Sequence, residues 1–230
     1  MTYNKALGLL LVFSLVFVTA CSNLNAFEDY GDPHVVDALI TKRKNWAGGG
    51  YPYDLDNPDL VAACADYVFV GRVERYVGTR YLDTLPLPQT DYDVVILKVI
   101  KGNLESGQKI PITKNGGISK DKSYIDGYYN GEFMLETGVA YVFLVTVDPD
   151  RRTLSFIGPH GSVPLESSIE AELKRIEESK EPNKQRLISK TLEQSEVFAR
   201  YVAACENKDA AAELPPRIRD RERFRSVYEK

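Results

Sequence analysis

The spacing of hydrophobic positions changes near residue 160 and divides most of the chain into two regions. Between residues 67 and 157, apolar and polar positions alternate or apolar residues run together, which is typical of β-strands. The pattern predicts five to six short strands, at residues 67–76, 92–101, 108–113, 132–136, 139–147 and 153–157. The run from Val139 to Val147 is the most continuous apolar segment, so we expect that strand to lie centrally in the sheet.

Beyond residue 165 the apolar positions recur every three or four residues, which predicts amphipathic helices. One helix is expected over residues 167–178, with Ile169, Leu173 and Ile176 on its buried face. A second is expected over residues 183–206. Its apolar stripe consists of Ile188, Leu192, Phe198, Val202 and Cys205. Upstream of the strands, Asp32-Pro33 and Asn57-Pro58-Asp59 are helix-start signals, which predict short helices over 34–46 and up to Cys64.

These elements predict an α+β fold, a small antiparallel OB-like β-barrel followed by a pair of C-terminal helices. Gly71 and the glycine turns supply the bends that a small closed sheet needs, and Pro111 favours an edge strand or a bulge. The expected boundaries are a signal segment at 1–20, a tether at 21–31, the barrel domain with short N-terminal helices at 32–164, helices packed on the barrel at 165–208, and a flexible tail at 209–230.

The start of the chain has the features of an export signal. Lys5 precedes an uncharged apolar run of about 15 residues, which is too short to span a bilayer. The run ends in Val18-Thr19-Ala20-Cys21, which resembles the lipobox of bacterial lipoproteins. The resemblance implies cleavage before Cys21, lipidation of its thiol with palmitate-type chains, and an extracytoplasmic protein held on the cell membrane or an outer membrane. The alternatives are a plain signal peptide, or a single-pass anchor in which Cys21 is buried.

The composition of the chain limits the classes of binding partner that we expect. The formal net charge of −4 argues against nucleic acid and against electrostatic binding to anionic lipid. In an oxidising compartment the two remaining cysteines, Cys64 and Cys205, are expected to form one disulfide; the alternative is two separate buried thiols. No cluster of Cys or His accompanies them, so neither a zinc site nor a cofactor is predicted, and the oligomeric state is left open.

Three stretches carry a second resemblance: Cys64-Ala65-Asp66 followed by YVFVG, then DVVILKVIKG, then LETGVAYVFLV. Over residues 63–158 this pattern is similar to the barrel of tissue inhibitors of metalloproteinases and netrin modules. It implies the OB-like fold rather than a function. Those inhibitors bind the protease zinc through an N-terminal Cys-x-Cys, which this chain does not contain. A metalloprotease inhibitor of that kind is therefore not expected.

The segment 114–133 is the preferred functional candidate, because Tyr124, Tyr128 and Tyr129 stand there among glycines. Tyrosines on a loop over a rigid barrel commonly form a recognition surface; alternatively, they cover the open end of the barrel. We therefore expect a non-catalytic, lipid-anchored envelope protein that binds an extracytoplasmic protein or glycan, with no assigned catalytic residue.

Two other functions remain open. His160, in a glycine-rich turn, could act as a general base beside nearby carboxylates, which would make the protein an envelope hydrolase. The C-terminal helices could instead serve as a structural adaptor. The acidic run 54–59 could hold calcium, but it lacks the glycine and terminal glutamate of an EF-hand, so no metal site is assigned.

Overall fold

A computed structural model describes residues 43–45, 53–81, 88–121, 125–128, 134–148, 153–158 and 160–219. The signal segment, Cys21 and nearly all of the helix predicted over 34–46 lie outside these residues. Tyr124 and Tyr129 lie outside them too.

The described residues form nine strands and six helices. The strands are β1 (Arg43–Asn45), β2 (Tyr67–Arg80), β3 (Gln89–Lys101), β4 (Lys109–Asn115), β5 (Gly117–Ile118), β6 (Ile125–Tyr128), β7 (Ala140–Asp148), β8 (Thr153–Phe156) and β9 (Ser162–Pro164). The helices are α1 (Pro58–Cys64), α2 (Ser167–Glu178), α3 (Lys184–Leu192), α4 (Glu196–Glu206), α5 (Ala210–Glu213) and α6 (Pro216–Arg219).

Five strands close into a barrel. β2 pairs antiparallel with β3 along one edge and with β7 along the other, β3 continues to β4, and β7 continues to β8. A short parallel pairing of β4 with β8 closes the circle. The predicted α+β class and OB-like barrel are confirmed, and β7 lies centrally as expected.

β8 and β9 share one edge of β7. Residues 145–148 of β7 pair with β8, residues 141–143 pair with β9, and Leu144 between them bonds to the backbone of Ile157 and Gly161. The five residues 157–161 therefore interrupt what is otherwise one continuous strand. The predicted turn that carries His160 is this interruption.

The barrel has apolar packing on both sides of its wall. β2 shows the alternation, since Tyr67 and Phe69 belong to the cluster to which all five barrel strands contribute, whereas Val68 and Val70 belong to the cluster shared with the helices. The first cluster is the barrel interior, with Phe143 5.4 Å from Phe69 between ring centres. The second is the layer between the barrel wall and the helices.

The bulge predicted at Gly71 occurs, whereas Pro111 lies neither at a bulge nor on an edge strand, because β4 pairs in regular register with β3 and also pairs with β8. The register of β2 on β3 shifts between Val70 and Gly71, so Gly71 lies at a bulge. A side chain at Gly71 would also collide with Val94 of the interior. Pro111 pairs with Asp93 of β3 and lies just before Ile112, where pairing with β8 begins, so its missing N–H breaks no ladder on that side.

A small second sheet corrects one prediction. β1 pairs parallel with β6, which pairs antiparallel with β5, in the order β1-β6-β5. Residues 43–45 are thus a strand, although the apolar spacing had placed them in the helix over 34–46. Pairing with β6, which is distant in sequence, overrides the local helical signal.

The predicted helix over 183–206 is two helices. Ser195 interrupts it and caps α4, since its hydroxyl accepts a hydrogen bond from the N–H of Phe198 at 3.0 Å. Glu166 adds a second cap by accepting from the Ser195 hydroxyl at 2.6 Å and from the N–H of Val197 at 2.9 Å. Burial opposes the charge of Glu166, but these hydrogen bonds outweigh it and lower its pKa.

The break also rotates the buried stripe. Ile188, Leu192 and Phe198 are buried as predicted, but on the last turns of α4 the buried residues are Tyr201 and Ala204, while Val202 and Cys205 are half-buried. Helix α2 has its predicted bounds, with Ile169, Leu173 and Ile176 buried.

One arginine joins the helical layer to the barrel. Arg72 of β2 pairs with Glu170 and with Glu177 of α2, and its Nε donates to Glu177 at 2.7 Å. Arg72 also donates to the carbonyl of Gly138. Burial opposes its charge, but the two carboxylates prevail and raise the pKa of Arg72.

The start of the predicted flexible tail is folded. Residues 210–213 and 216–219 form α5 and α6, and Ala210 and Leu214 are buried against the cluster beneath the helices. The charged composition of the segment predicted a flexible tail, but these two apolar residues provide enough contact to fold its start against the cluster. Residues 220–230 lie outside the described part.

The motifs shared with the inhibitor and netrin barrels have structural roles here. Lys101 ends β3 and its ammonium donates to the carbonyls of Ala62 and Ala65 at the end of α1, at 2.8 and 2.7 Å. Asp66 accepts from the N–H of Val147 at 3.0 Å and so secures the start of β2 on β7. The resemblance therefore rests on residues that build the barrel.

Gly102 follows Lys101 and provides a stability test. It has φ +97°, and an added Cβ would overlap the ring of Tyr67, whereas Gly107 has φ +85° and open space around it. We expect Gly107→Ala to cost about 1–2 kcal/mol through backbone strain alone. Gly102→Ala should cost about 2–4 kcal/mol, because overpacking adds to that strain.

Urea unfolding of both variants measures the difference. Equal losses in the two variants would show that Tyr67 yields to the added methyl group, and would contradict the close approach as the reason for glycine at position 102.

Candidate functional site

The predicted recognition segment is attached to one end of the barrel. Tyr128 is the last residue of β6, which pairs with β5, and β5 follows β4 after the single residue Gly116. Tyr124 and Tyr129 flank β6 outside the described residues. The backbone of the tyrosine-bearing strand is thus placed beside the barrel, and we call residues 119–133 the tyrosine segment.

The chain enters the tyrosine segment over a buried cluster of hydroxyl groups. Thr79 of β2 shares hydrogen bonds of 2.9 Å with Tyr76 and with Thr90 of β3. Thr90 donates to the carbonyl of Gly116 at 2.7 Å, and Thr79 accepts from the N–H of Ile118 at 3.2 Å. Since unpaired buried donors are costly, this cluster fixes the path of the backbone into β5.

Close packing reinforces this first stem. A Cβ on Gly117 would overlap the hydroxyl groups of both Thr79 and Thr90, so β5 can approach the cluster only with glycine there. The Tyr81 hydroxyl donates to the carbonyl of Ile118 at 2.9 Å, and the Lys120 ammonium lies 4.9 Å from the centre of the Tyr81 ring.

The chain leaves the segment at a second fixed stem. The hydroxyl of Tyr92 accepts from the N–H of Leu135 at 3.3 Å, and the hydroxyl of Tyr141 accepts from the N–H of Glu136 at 3.1 Å. Leu135 and its neighbour Met134 are buried in the barrel interior cluster. Burial raises the pKa of Tyr141 to about 12, so this hydroxyl stays protonated at any physiological pH.

The two stems are in contact. The rings of Tyr76, in the first, and Tyr92, in the second, meet edge to face at 5.8 Å between centres. The tyrosine segment is therefore a loop whose two ends are fixed by the same group of barrel side chains. A recognition loop benefits from this arrangement, because less conformational entropy is lost on binding.

A buried lysine lies near the end of β4 and was not identified from the sequence. Lys114 is 1% exposed, with its ammonium 3.4 Å from the Ser162 hydroxyl and 5.0 Å from the centre of the Phe156 ring. Its spacing of two from Ile112 could have revealed it, since that places Lys114 on the inward face of β4. It reaches across to the interruption between β8 and β9.

The outer face of β2, β3 and β4 carries paired charges. Arg75 meets Asp93 at 2.6 Å, and Lys109 meets Glu74 at 2.5 Å. Further along, Arg80 and Asp91 lie 3.2 Å apart. OB-folds often bind oligonucleotides or oligosaccharides on this face. Here each cation has a carboxylate beside it, so the face lacks the unpaired positive charge that binds a phosphate backbone.

His160 has a carboxylate neighbour. Its Nε2 lies 3.2 Å from the Asp56 carboxylate, and the two side chains are 44% and 86% exposed. A carboxylate can orient an imidazole for general base catalysis, but in water this pair has the strength of a surface ion pair. The structure thus places His160 beside a carboxylate, as the hydrolase hypothesis requires, but leaves both side chains exposed to water.

The acidic run that was considered for calcium serves local structure. Asn57 caps α1 by accepting from the N–H of Asp59 at 3.0 Å, and Asp59 accepts from the side chain of Asn207 at 2.7 Å. Asp54 accepts from the N–H of Asp56 at 2.9 Å. Across the part of the chain that the structure describes, no three His, Cys, Asp or Glu side chains are grouped to hold a metal ion.

The two cysteines lie on helices that pack together. Cys64 is the last residue of α1 and is buried, and Cys205 is in the last turn of α4 and is half-buried. Both side chains belong to, or pack against, the cluster beneath the helices. The structure holds them as thiols, so their disulfide stays a prediction.

No protein-family model matches this chain, and no curated protein matches it. None of the helices that the structure describes is long and apolar enough to cross a membrane.

The second stem generates a direct test. Tyr92→Phe removes the acceptor of the Leu135 N–H and leaves a buried donor unpaired, at a local cost of about 1–3 kcal/mol. We expect faster amide hydrogen exchange at Leu135, measured by NMR, with unchanged exchange at Phe69 in the barrel interior. Tyr141→Phe is the matched control and should affect Glu136 first. Unchanged exchange at Leu135 in Tyr92→Phe would show that the hydroxyl does not hold this stem.

Proposed function

We propose that this chain is a lipid-anchored extracytoplasmic protein whose barrel is a non-catalytic module that binds an envelope protein or glycan through the tyrosine segment. The observation that carries the proposal is the double attachment of that segment. Its first stem is held by Thr79 and Thr90, and its second by Tyr92 and Tyr141. A rigid barrel that holds both ends of one loop is a common design for recognition.

The composition of the segment supports this role. Tyr124, Tyr128 and Tyr129 offer large, stiff side chains with a hydroxyl at the tip, a type that is enriched where proteins bind partners. Aromatic rings also stack on the apolar faces of sugars, so the same residues suit a glycan. The paired charges on the outer face of the barrel argue against nucleic acid as the partner.

The proposed extracytoplasmic location is inferred from the first 21 residues. A short apolar run that ends in Val18-Thr19-Ala20-Cys21 supports export followed by acylation of Cys21. Two or more acyl chains hold a protein stably on a bilayer, whereas one holds it only marginally. The anchor would place the barrel on the outer side of the cell membrane, or on an outer membrane where the cell has one.

The adaptor hypothesis has less support. The apolar faces of α2, α3 and α4 are already buried against the barrel, through residues such as Leu173, Leu192 and Phe198. A partner would therefore meet only the charged outer faces of these helices. Removing the helices would also uncover the barrel wall, so truncation would test stability rather than binding.

A second candidate function is hydrolysis, favoured by the 3.2 Å contact between His160 and Asp56. The pair is exposed to water, which weakens the electrostatic stabilisation that catalysis requires. This candidate provides the control for the binding experiment.

The anchor is tested by metabolic labelling with palmitate in a bacterial host. We expect the wild-type chain to carry label and to sediment with membranes, and Cys21→Ser to lose both properties completely, because the acylated thiol is gone. Cys205→Ser should keep the label, since that cysteine lies on α4. An unlabelled wild-type product, or one recovered from the cell interior, would overturn the proposed lipid anchor and extracytoplasmic location.

Recognition is tested by crosslinking of the anchored protein in intact envelopes. Tyr128→Ala and Tyr129→Ala should each reduce partner capture about 10-fold or more, the size expected for a tyrosine hot spot, with an unchanged melting temperature. His160→Ala should leave capture unchanged. The reverse result, with an envelope defect only in His160→Ala, would replace the binding function by the hydrolase.

A further inference from the structure

The proposed function leaves the two cysteines without a role, although the fold brings their helices together. Cys64 ends α1, and its side chain is 6% exposed within the cluster beneath the helices. Cys205 packs against the same cluster from α4 and is partly open to solvent. Cys64 is therefore the more enclosed residue, and Cys205 is the more exposed one.

An ammonium group lies at the end of α1, beside the residue that follows Cys64. Lys101 donates to the carbonyls of Ala62 and Ala65, which flank Cys64, and its positive charge also acts on the Cys205 thiol. Burial raises the pKa of that thiol, Lys101 opposes the rise, and Glu206 adds to it. The contacts of Lys101 with Ala62 and Ala65 place its ammonium at the end of α1.

A hydroxyl group contacts the sulfur of Cys64. The hydroxyl of Tyr53 donates to that sulfur at 3.2 Å. The ammonium of Lys101 lies on the carbonyl of the next residue, Ala65, so a hydroxyl donor and a cation both lie at the end of α1 that carries Cys64.

We propose that Cys64 and Cys205 form a dithiol site that a disulfide oxidant of the extracytoplasmic space converts into a bond between α1 and α4. The proposal rests on the extracytoplasmic address given above. Cys205 is the entry point because it is the more exposed thiol, Cys64 is the resolving thiol, and Lys101 is a positioning residue.

The exchange has two balanced steps. The Cys205 thiolate attacks one sulfur of the oxidant's disulfide, so that a mixed disulfide forms and one oxidant thiolate leaves. The Cys64 thiolate then attacks the Cys205 sulfur, which forms the internal bond and releases the second oxidant thiolate. The two cysteines lose two electrons and two protons, and the oxidant becomes a dithiol.

The bond would join the ends of a long loop. Cys205 follows Cys64 by 141 positions, and the loop between them contains the whole barrel and helices α2 and α3. Linking positions so far apart restricts the unfolded chain strongly, so the oxidised protein should be the more stable form. The bond would then keep α1 and α4 joined within the helical layer while the protein is outside the cell.

The test uses the full chain isolated from envelopes with rapid alkylation and then unfolded without reductant. We expect a mass about 2 Da below that of the dithiol form and no alkylation of either cysteine. Reduction should restore two reactive thiols and lower the melting temperature by about 5–15 °C. Cys64→Ser and Cys205→Ser should each leave one alkylatable thiol and remove the effect of reductant.

A second experiment tests the dithiol site independently of the extracytoplasmic location. Purified reduced protein is incubated with oxidised glutathione; an internal bond is expected, formed more slowly in Lys101→Met and at near wild-type rate in Lys101→Arg. Two alkylated cysteines after this treatment would overturn the dithiol site. If the bond forms with oxidised glutathione but the protein from cells carries two thiols, the extracytoplasmic location is overturned. The crosslinking test with the Tyr128 and Tyr129 variants would still test recognition.

Discussion

The whole structure depends on the pairing of β2 along both of its edges. From Val68 to Arg72 this strand bonds to β7 on one side and to β3 on the other. The closed circle requires β2 to bend, and the bend occurs at the bulge beside Gly71, where a side chain would strike Val94. Beyond the bulge, the rest of β2 continues along β3 and carries Tyr76 and Thr79, the first supports of the tyrosine segment.

The same closure gives structural roles to three residues in the stretches on which the predicted resemblance was based. Lys101 caps α1, Gly102 leaves room for Tyr67, and Asp66 ties β2 to β7. These residues occupy the positions that resemble inhibitor and netrin barrels. Because their roles lie in barrel closure, a different chain could keep them and bind a different partner. The part of this chain that we propose for recognition is instead the loop whose two ends the barrel holds.

The sequence predicted the elements whose signals are local. Helix α2 and the cap at Asn57 match because periodicity and capping are properties of neighbouring residues. Ser195 has a local cap signal, because its hydroxyl accepts from the N–H of Phe198, but the apolar stripe continues past it and predicted one helix. The second cap, from Glu166, comes from 29 positions earlier and lies outside any local window. The strand at 43–45 was missed because its partner β6 lies some 80 positions later, so long-range pairing decides it.

The candidate site shows the same division. Tyrosines among glycines marked the segment, but its stems depend on Thr90, Tyr92 and Tyr141, which read in sequence as ordinary strand residues. Their hydroxyl groups acquire a role only when the closed barrel turns them toward Gly116 and residues 135–136. Lys114 is similar, since its burial follows from the path of β8 and β9.

The small sheet connects recognition to the anchor. β1 lies beside β6, and in the lipid-anchored chain that we propose, the 22 positions from Cys21 to Arg43 span at most about 75 Å when fully extended. Any bending of that stretch shortens the distance. β6, with Tyr128 at its end, therefore cannot lie farther from the bilayer than this, whatever the orientation of the barrel. A partner of the proposed recognition surface would have to enter that layer, which favours proteins of the same membrane and glycans close to its surface.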